Sequence, residues 1–577
     1  MRVALALAGA LLFASTVGAQ APAAAQARGR WDALVAEFLS AYFAARPEVA
    51  VNAGRHELDG RLPDWSAAGL AAYDSLLTSW KARVTAVDTA ALDADRRIER
   101  QIMLARFDRD LWFLRDYDAP HRSPAYYAGS LDPDVYLSRP YAPLPQRMRS
   151  YIRYARSVAR AAPQIRANLR PPLARTLIDR GRGAFGGYAT FYRDEVPRVF
   201  ASVHDPALQR ELSQANDSAI AAMRALDAWL ETQRATQTES FALGAEKFRS
   251  MLWATERVDT PLDELERIGR ADLARNQAAL REACARYAPG ATLEACVRKS
   301  DAHKPDEGTV PAARKQLVTL RRFVAEHGVV SIPSTDVAHV NESPPYMRYN
   351  TAYIVIPGPY DRGMPSTYFV APPDPSWTPE QRAGYIPGVA NLWFISAHEV
   401  WPGHFLQFLH AKRSRSKVGR LFGVTTFTEG WAHYAEEMMW EAGIGNGEPE
   451  YHVGQLTNAL LRNVRFMCAI GLHTQGMTVE QCEKLFRDSA FSDVGTARQQ
   501  AARGTYDPAY LNYTLGKLMI RKLRADWMAV NPVPAGIDPS SPQKWQAFHD
   551  KFLSFGGPPI PLVRREMMGP DDKGSLF

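Results

Sequence analysis

"HEVWPGHFLQ", residues 398–407, begins like the zinc-binding helix of a metallopeptidase and then departs from that pattern. In H-E-x-x-H the two histidines lie four residues apart on one face of a helix, and the glutamate is the general base. Here His404 follows His398 by six positions, which in a regular helix places it about 120° round the axis. Pro402 removes a backbone donor, and Gly403 permits backbone conformations that other residues avoid. We therefore expect the helix to break between the histidines, so that both reach one ion.

A histidine-based catalytic zinc site also needs a third protein ligand and an open position for water. The candidate lies downstream in "TFTEGWAHYAEEM", residues 426–438. Glu429, His433 and Glu436 are spaced i, i+4 and i+7 in that stretch, so they share one helix face. This face, which begins at Glu429, therefore contains the candidate third ligand. Glu436 is expected to support the site or to be a structural carboxylate rather than a ligand.

Three segments carry a family resemblance: "HEVWPGH", "EGWAHYAEE" and "LRNVRFMCAIGLHTQGMTVEQ". They resemble successive signatures of the domain-of-unknown-function 885 family, which is similar to gluzincin metallopeptidases such as thimet oligopeptidase and carboxypeptidase Taq. The resemblance spans most of the chain and is strongest from 345 to 525. It implies that His398, His404 and Glu429 hold one zinc ion and that Glu399 is the general base.

The same resemblance implies supporting roles for other residues. Tyr434 and Glu436 match the second motif, with His433 between Glu429 and Glu436 on the same face. In the third motif Arg465 and His473 match, while Ala469 and Ile470 stand where the family has Asp-Thr. In "YDPAYLNYTLGK", residues 506–517, Tyr513 and Gly516 match the last motif.

The expected catalytic roles of these residues each have a structural alternative. Tyr513 or His473 would stabilise the oxyanion, but Tyr513 could instead belong to an aromatic cluster, and His473 could be an ordinary helix-end histidine. Arg465 would bind a substrate carboxylate or pair with a core acid.

Helical periodicity dominates the chain, as in the apolar positions from Trp31 to Phe43. Near Val329 the composition becomes rich in proline and aromatic residues, and "AYIVIP" (352–357) and "STYFVAP" (366–372) are predicted strands. We expect a mainly α fold, a large helical metallopeptidase-like architecture with one small sheet beside the zinc helix. The strand at 366–370, with Tyr368 and Phe369, is expected to bind substrate backbone.

The chain start is typical of an export signal: Arg2 precedes a small and apolar run, and Val17-Gly18-Ala19 provides small residues for cleavage. We predict a signal peptide over 1–19, a helical N-terminal region over 20–328 and a catalytic region over 329–577. The mature chain is then periplasmic or secreted, without a stable membrane anchor.

The four cysteines form two close pairs, Cys284/Cys296 and Cys468/Cys482. In an oxidising compartment two local disulfides are the simplest interpretation, with four buried thiols as the alternative. The net charge of +7 is modest for 577 residues and its basic residues are scattered, so nucleic acid is not an expected partner.

The sequence thus predicts an exported zinc metallopeptidase that cleaves short peptides. Zinc would activate water and Glu399 would transfer its proton to the leaving amine. One alternative is a zinc amidohydrolase or esterase acting on an acylated small molecule. Another is a metal-free binding or scaffold protein with a degenerate peptidase fold.

Overall fold

The structure is a computed structural model that describes residues 10–344, 352–373, 378–569 and 571–577. Side chains are described from residue 26 onward, except at positions 380 and 381. The first nine residues of the predicted signal peptide lie outside the described residues, and the helix that begins at Ala10 continues to Ala45.

Helices make up most of the described chain, which confirms the predicted mainly α class. The helices before the sheet are α1 Ala10–Ala45, α2 Pro47–Asn52, α3 Ala67–Thr85, α4 Ala94–Arg115, α5 Ala119–Arg122, α6 Ala125–Ala128, α7 Asp134–Leu137, α8 Leu144–Asn168, α9 Arg175–Asp194, α10 Val196–Phe200, α11 Pro206–Gln233, α12 Ala245–Glu256, α13 Leu262–Tyr287, α14 Leu293–Ala302 and α15 Thr309–His327. The predicted amphipathic pattern at 31–43 lies in α1, where Trp31, Phe38 and Tyr42 are buried.

A small sheet separates these helices from a second helical group. Its strands are β1 Ala338–Glu342, β2 Ala352–Val355 and β3 Ser366–Val370. The following helices are α16 Pro379–Tyr385, α17 Val389–Glu399, α18 His404–Ala411, α19 Lys417–Leu421, α20 Thr425–Glu441, α21 Pro449–Thr474, α22 Val479–Ala490, α23 Val494–Tyr506, α24 Asn512–Val530, α25 Gln546–Leu553 and α26 Ile560–Met568. Short 3-10 turns join several of them, among them Pro508–Leu511 before α24.

The strand order is β1-β3-β2, with β1 parallel and β2 antiparallel to β3. The two strands predicted from sequence are therefore present, and β1 is the third. β3 lies in the centre, so both of its edges are used by neighbouring strands, while β2 lies at one edge.

Two glycines determine how closely α20 approaches α24. A Cβ at Gly516 would lie 2.0 Å from the Thr426 carbonyl oxygen, and one at Gly430 would lie 2.6 Å from the Gly516 Cα. Because real Cβ atoms do not approach so closely, both positions require glycine. This contact brings Tyr513, at the start of α24, towards Glu429 in α20.

The predicted disulfides are present, joining Cys284 to Cys296 and Cys468 to Cys482. The first joins α13 to α14 and the second joins α21 to α22. Each closes a loop of 12 or 14 residues, so each restricts the unfolded chain locally.

Thiol titration of the exported protein, denatured without reductant, is expected to detect no free thiol. Peptide mapping should recover the two local pairs, because each pair is already bonded in the structure. Reduced and denatured protein, in which all four thiols should react, is the control. Four reactive thiols before reduction would contradict the assignment.

Candidate metal centre

The predicted helix break is present between the two histidines. α17 ends at Glu399 and α18 begins at His404, with a cis peptide bond between Trp401 and Pro402. A Cβ at Gly403 would lie 1.8 Å from the His398 carbonyl oxygen, so the chain can turn this tightly only with glycine there. The turn brings the imidazoles of His398 and His404 to a centroid separation of 4.8 Å.

Gly403→Ala is expected to destabilise the protein by about 2–3 kcal/mol, because the added methyl group overlaps backbone that cannot move without displacing α17 or α18. It should also weaken metal binding by moving His404. Urea unfolding and a metal titration measure the two effects. Gly384→Ala is the matched control, since a Cβ there meets no atom within 4 Å. Equal stability of the two variants would contradict the role given to Gly403.

Glu429 in α20 completes a triad with the two histidines. Its Oε2 lies 3.3 Å from His398 Nε2 and 3.4 Å from His404 Nε2. Ligand atoms from the three residues all lie within 4.8 Å of one another. Glu429 Oε2 is buried and accepts no hydrogen bond from the residues that the structure describes.

The distances from Glu429 to the two histidines fit a tetrahedral metal ion. Ligands at about 2.0–2.2 Å from zinc lie about 3.4 Å from each other. Two neutral imidazoles and one carboxylate are also a donor set that zinc accepts in catalytic sites. The orphaned carboxylate oxygen between two imidazole nitrogens is the feature that such an ion would satisfy.

A buried network holds His398 in place. Its Nδ1 lies 2.7 Å from Glu436 Oε1, so Nδ1–H can donate there and leave Nε2 towards Glu429. Glu436 also pairs with Arg462 at 3.0 Å. Burial acts to raise the pKa of Glu436, but Arg462 and the imidazoles of His398 and His433 outweigh it and hold that pKa well below its usual range. Glu436 is thus a supporting carboxylate that fixes the orientation of His398.

Nothing in the sequence indicated a role for Arg462, and the family motif indicated Arg465 instead. The two lie three residues apart in α21, and only tertiary packing distinguishes them. His433 lies next to the same network, with Nδ1 3.6 Å from Glu436 Oε2. Burial lowers the pKa of His433 to about 4, with Lys517 acting in the same direction, so it is neutral near pH 7.

Glu399 follows His398 directly and lines the same cavity. Within the described part of the chain its carboxylate makes no hydrogen bond and no ion pair. Burial raises the pKa of Glu399. The carboxylate is therefore available to a molecule bound beside the triad.

Tyr513 also lines the cavity, and its ring lies 6.4 Å from the His398 ring. The guanidinium of Arg465 lies 5.0 Å and that of Arg462 lies 5.6 Å from the Tyr513 ring centroid. Burial and the nearby Glu429 raise the pKa of Tyr513, so its hydroxyl stays protonated. Arg503 is a third arginine whose positive charge acts on this tyrosine, and it lowers the Tyr513 pKa as Arg465 and Arg462 do.

Arg465 does not have the expected substrate contact. It is buried, its Nε donates to Gln500 Oε1 at 2.8 Å, and it is not among the cavity-lining residues. No carboxylate pairs with Arg465 among the described residues. Its position indicates that it orients Tyr513.

His473 was expected near the oxyanion and lies elsewhere. It is buried against Phe248, and its Nε2 donates to the Gly504 carbonyl oxygen at 2.8 Å. Burial lowers the pKa of His473 to about 4. It does not line the cavity, so the alternative of a structural histidine is the one that the geometry favours.

Tyr434 does not contact the triad either. Its hydroxyl bonds His549 and Arg524, both at 2.7 Å, on the far side of α20 from Glu429. At about 100° per residue, position 434 lies about 140° round the helix from position 429. Tyr434 therefore joins α20 to α24 and α25 and does not support the triad directly.

The prediction that β3 binds substrate backbone is wrong. Tyr368 is fully buried in β3, and Phe369 stacks on Tyr353 of β2. β3 has a strand on each side, so its backbone cannot pair with a substrate. The β2 strand and the residues after it, 352–359, line the cavity instead.

The cavity around the triad has a volume of 810 Å³. Its walls come from α2, β2, α17, α18, α19, α20 and the start of α24, so both helical groups contribute. This volume is within the range of about 300–1,000 Å³ that is usual for ligand pockets.

One cavity wall is attached to the first helical group. After β2, the Tyr360 backbone N–H donates to the Ala53 carbonyl oxygen at 2.9 Å. The His56 imidazole lies between two carboxylates, with Nδ1 3.0 Å from Asp59 and Nε2 3.2 Å from Asp361. Burial acts to lower the pKa of His56, but the hydrogen bonds to Asp361 and Asp59 outweigh it and raise the pKa to about 9.

This pair of contacts predicts a pH dependence of stability. The pKa of His56 in the folded protein exceeds its ordinary value of 6.5. The stabilisation that His56 adds to the free energy of unfolding is therefore fully present below about pH 6.5 and is lost as the pH rises through about 9. Urea unfolding of wild type and His56→Gln should differ more at about pH 6 than at about pH 10. An equal difference at both pH values would contradict the prediction.

The comparisons with known proteins agree with the motifs. Residues 47–567 match the family described as "Bacterial protein of unknown function (DUF885)", and the chain belongs to that family. This confirms the family predicted from sequence. No curated protein matches the chain.

Two solved structures share the fold. A candidate lipoprotein of unknown function from Shewanella oneidensis is 23% identical with a TM-score of 0.77, covering 93% of this chain and 99% of its own. A candidate lipoprotein from Colwellia psychrerythraea is 16% identical with a TM-score of 0.77, covering 94% of this chain and 98% of its own. In the described residues, no helix has the length and apolar character needed to cross a membrane.

Proposed function

We propose that this chain is a zinc-dependent peptidase that cleaves short peptides outside the cytoplasm. The observation that carries the proposal is the position of Glu429 Oε2, 3.3 Å from His398 Nε2 and 3.4 Å from His404 Nε2. Glu399 lines the same cavity, and its carboxylate has no partner among the described residues. This metallopeptidase-like arrangement agrees with the gluzincin resemblance of the motifs.

The fit of the triad to zinc defines what each residue does. His398, His404 and Glu429 hold the ion, and zinc when bound supplies a Lewis acid for water and for the scissile carbonyl. Glu436 and Arg462 keep His398 oriented towards the ion.

Glu399 acts as the base. Its carboxylate accepts a proton from the water that attacks the carbonyl carbon, and it then passes this proton to the nitrogen of the breaking C–N bond. Tyr513 donates its hydroxyl hydrogen to the substrate oxygen as negative charge develops there. Arg465 and Arg462 keep the Tyr513 ring in position for this contact.

The shape of the cavity favours short and extended substrates. The edge strand β2 forms one wall, and an extended peptide can lie along such a strand. A volume of 810 Å³ accommodates a few residues and excludes a folded protein.

An extracytoplasmic location fits three observations. The sequence begins with a signal-like run, the chain forms two disulfides, and the two similar structures are described as candidate lipoproteins. We propose the periplasm or the exterior as the site of action.

A peptide-mixture assay tests the proposed activity. Wild-type protein loaded with zinc is incubated with peptides of about three to eight residues, a size that the cavity accommodates, and the products are identified by mass spectrometry. We expect cleavage that a strong chelator abolishes and added zinc restores. Cleavage of acylated small molecules without any peptide cleavage would favour the amidohydrolase alternative, and absence of both would contradict a hydrolase.

A further inference from the structure

We propose that Arg139, Lys412 and Arg420 form a carboxylate-binding subsite in the cavity, so that the preferred substrates are peptides with a carboxylate a few residues beyond the scissile bond. All three side chains line the cavity that contains the triad. The position of the scissile bond rests on the proposed function, whereas the anion subsite does not.

These three cations lack acidic partners. Among the described residues, no carboxylate lies within ion-pairing distance of any of them. Arg420 Nε donates only to the Ser414 carbonyl oxygen, and Arg139 makes two long contacts, of 3.3 and 3.4 Å, with Asn52. The Nε of Arg139 is buried and has no hydrogen-bond partner in the part of the chain that the structure describes.

The acids of the cavity lie in other places. Glu399 and Glu429 belong to the metal centre, and Glu48 pairs with Arg46 at 2.7 Å. Away from the triad, the charged side chains of the cavity that have no ion-pair partner among the described residues are therefore positive. A cavity lined by one sign of charge attracts ligands of the other sign.

Helix α18 sets the distance between the two parts of the cavity. His404 is its first residue. Phe408 and Ala411 line the cavity further along it, and Lys412 does so directly after its end. A separation of eight positions corresponds to about 12 Å along the helix axis. An extended peptide rises about 3.4 Å per residue, so this distance spans about three to four residues. Because the lysine side chain is long and flexible, a carboxylate two to four residues from the scissile bond can bind at the subsite.

Calorimetric binding to the Glu399→Gln protein tests this subsite without requiring cleavage. The probes are acetyl-tetraalanine with a free C-terminal carboxylate, the same peptide as its C-terminal amide, and acetyl-Ala-Ala-Ala-Glu amide. We expect the free acid to bind about 10-fold more tightly than the amide, because exposed ion pairs each contribute up to about 5-fold. Equal binding of the glutamate amide shows that a side-chain carboxylate also fits, and weak binding of that probe assigns the subsite to the C-terminal carboxylate.

A double variant locates the carboxylate. In Arg139→Met/Lys412→Met the acid should lose about 10-fold in affinity while the amide changes little. Arg413→Met is the matched control, since Arg413 is exposed next to Lys412 but does not line the cavity. If the acid binds no more tightly than the amide, or if its advantage survives in the double variant because the carboxylate binds at the metal, the subsite is refuted. Failure of the wild type to cleave any peptide would overturn the proposed activity and leave this binding test intact.

Discussion

Replacing Glu399 with glutamine is expected to lower kcat for any cleaved peptide by about 10²–10⁴-fold, the usual contribution of a general base. Glutamine keeps the size and shape of the side chain but cannot accept a proton from water. Glu399 is not one of the three converging side chains, so bound zinc should remain at wild-type stoichiometry. KM should change little, because the cavity walls are unchanged. Steady-state kinetics and elemental analysis of the same preparation measure these quantities.

Glu48→Gln is the matched control for this experiment. Glu48 is another carboxylate that lines the cavity, but it belongs to α2 and pairs with Arg46. Its replacement should leave kcat within a few-fold of wild type. If Glu399→Gln retains zinc and near-normal turnover, Glu399 is not the base and the mechanism must be abandoned.

Glu429→Ala is expected to abolish zinc binding and activity together. It removes the one anionic side chain of the triad and leaves two imidazoles, whereas catalytic zinc sites use three protein ligands. Wild-type protein purified without chelators should contain about one zinc ion per chain, and the variant should contain far less. Circular dichroism should show an unchanged helical fold, since Glu429 Oε2 makes no hydrogen bond among the described residues.

Thr428→Ala is the control for this second variant. Thr428 precedes Glu429 and also lines the cavity, but its hydroxyl donates to the carbonyl oxygen of Val424, the residue before α20. It should keep stoichiometric zinc. A Glu429→Ala protein that still binds one zinc ion with wild-type affinity would show that a different residue is the third ligand.

The helix break was predictable because short-range chemistry determines it, whereas the family resemblance of its motif identified Glu429 as the third member of the triad. Proline and glycine at 402 and 403 cannot continue the helix that carries His398. In the second segment, the spacing of Glu429 and Glu436 fixes their common helix face whatever surrounds it. The local sequence alone is enough to predict a helix break and a shared helix face.

Contacts between distant elements were not predictable in the same way. Arg462 and Arg465 are both buried in α21, and packing against α17 and α20 decides that Arg462 reaches Glu436. Likewise, His473 matches a family motif, yet its ring nitrogen bonds the Gly504 carbonyl oxygen at the end of α23. Periodicity indicates that such side chains are buried but not which neighbour they meet.

The sheet shows the same limit. Two strands were identified from their composition, but strand order depends on long-range pairing. β3 is central, so the strand that lines the cavity is the edge strand β2, and Tyr368 belongs to the core. The cations Arg139 and Arg420 reach one cavity from opposite parts of the chain, which no local pattern indicates.

X-ray diffraction at the zinc absorption edge, on crystals of protein purified without chelators, tests the metal centre most directly. The account predicts one anomalous peak at about 2.0–2.2 Å from Nε2 of His398, Nε2 of His404 and a carboxylate oxygen of Glu429. A crystal in which His404 points away from His398, or in which zinc-loaded protein shows no peak among these three side chains, would contradict it.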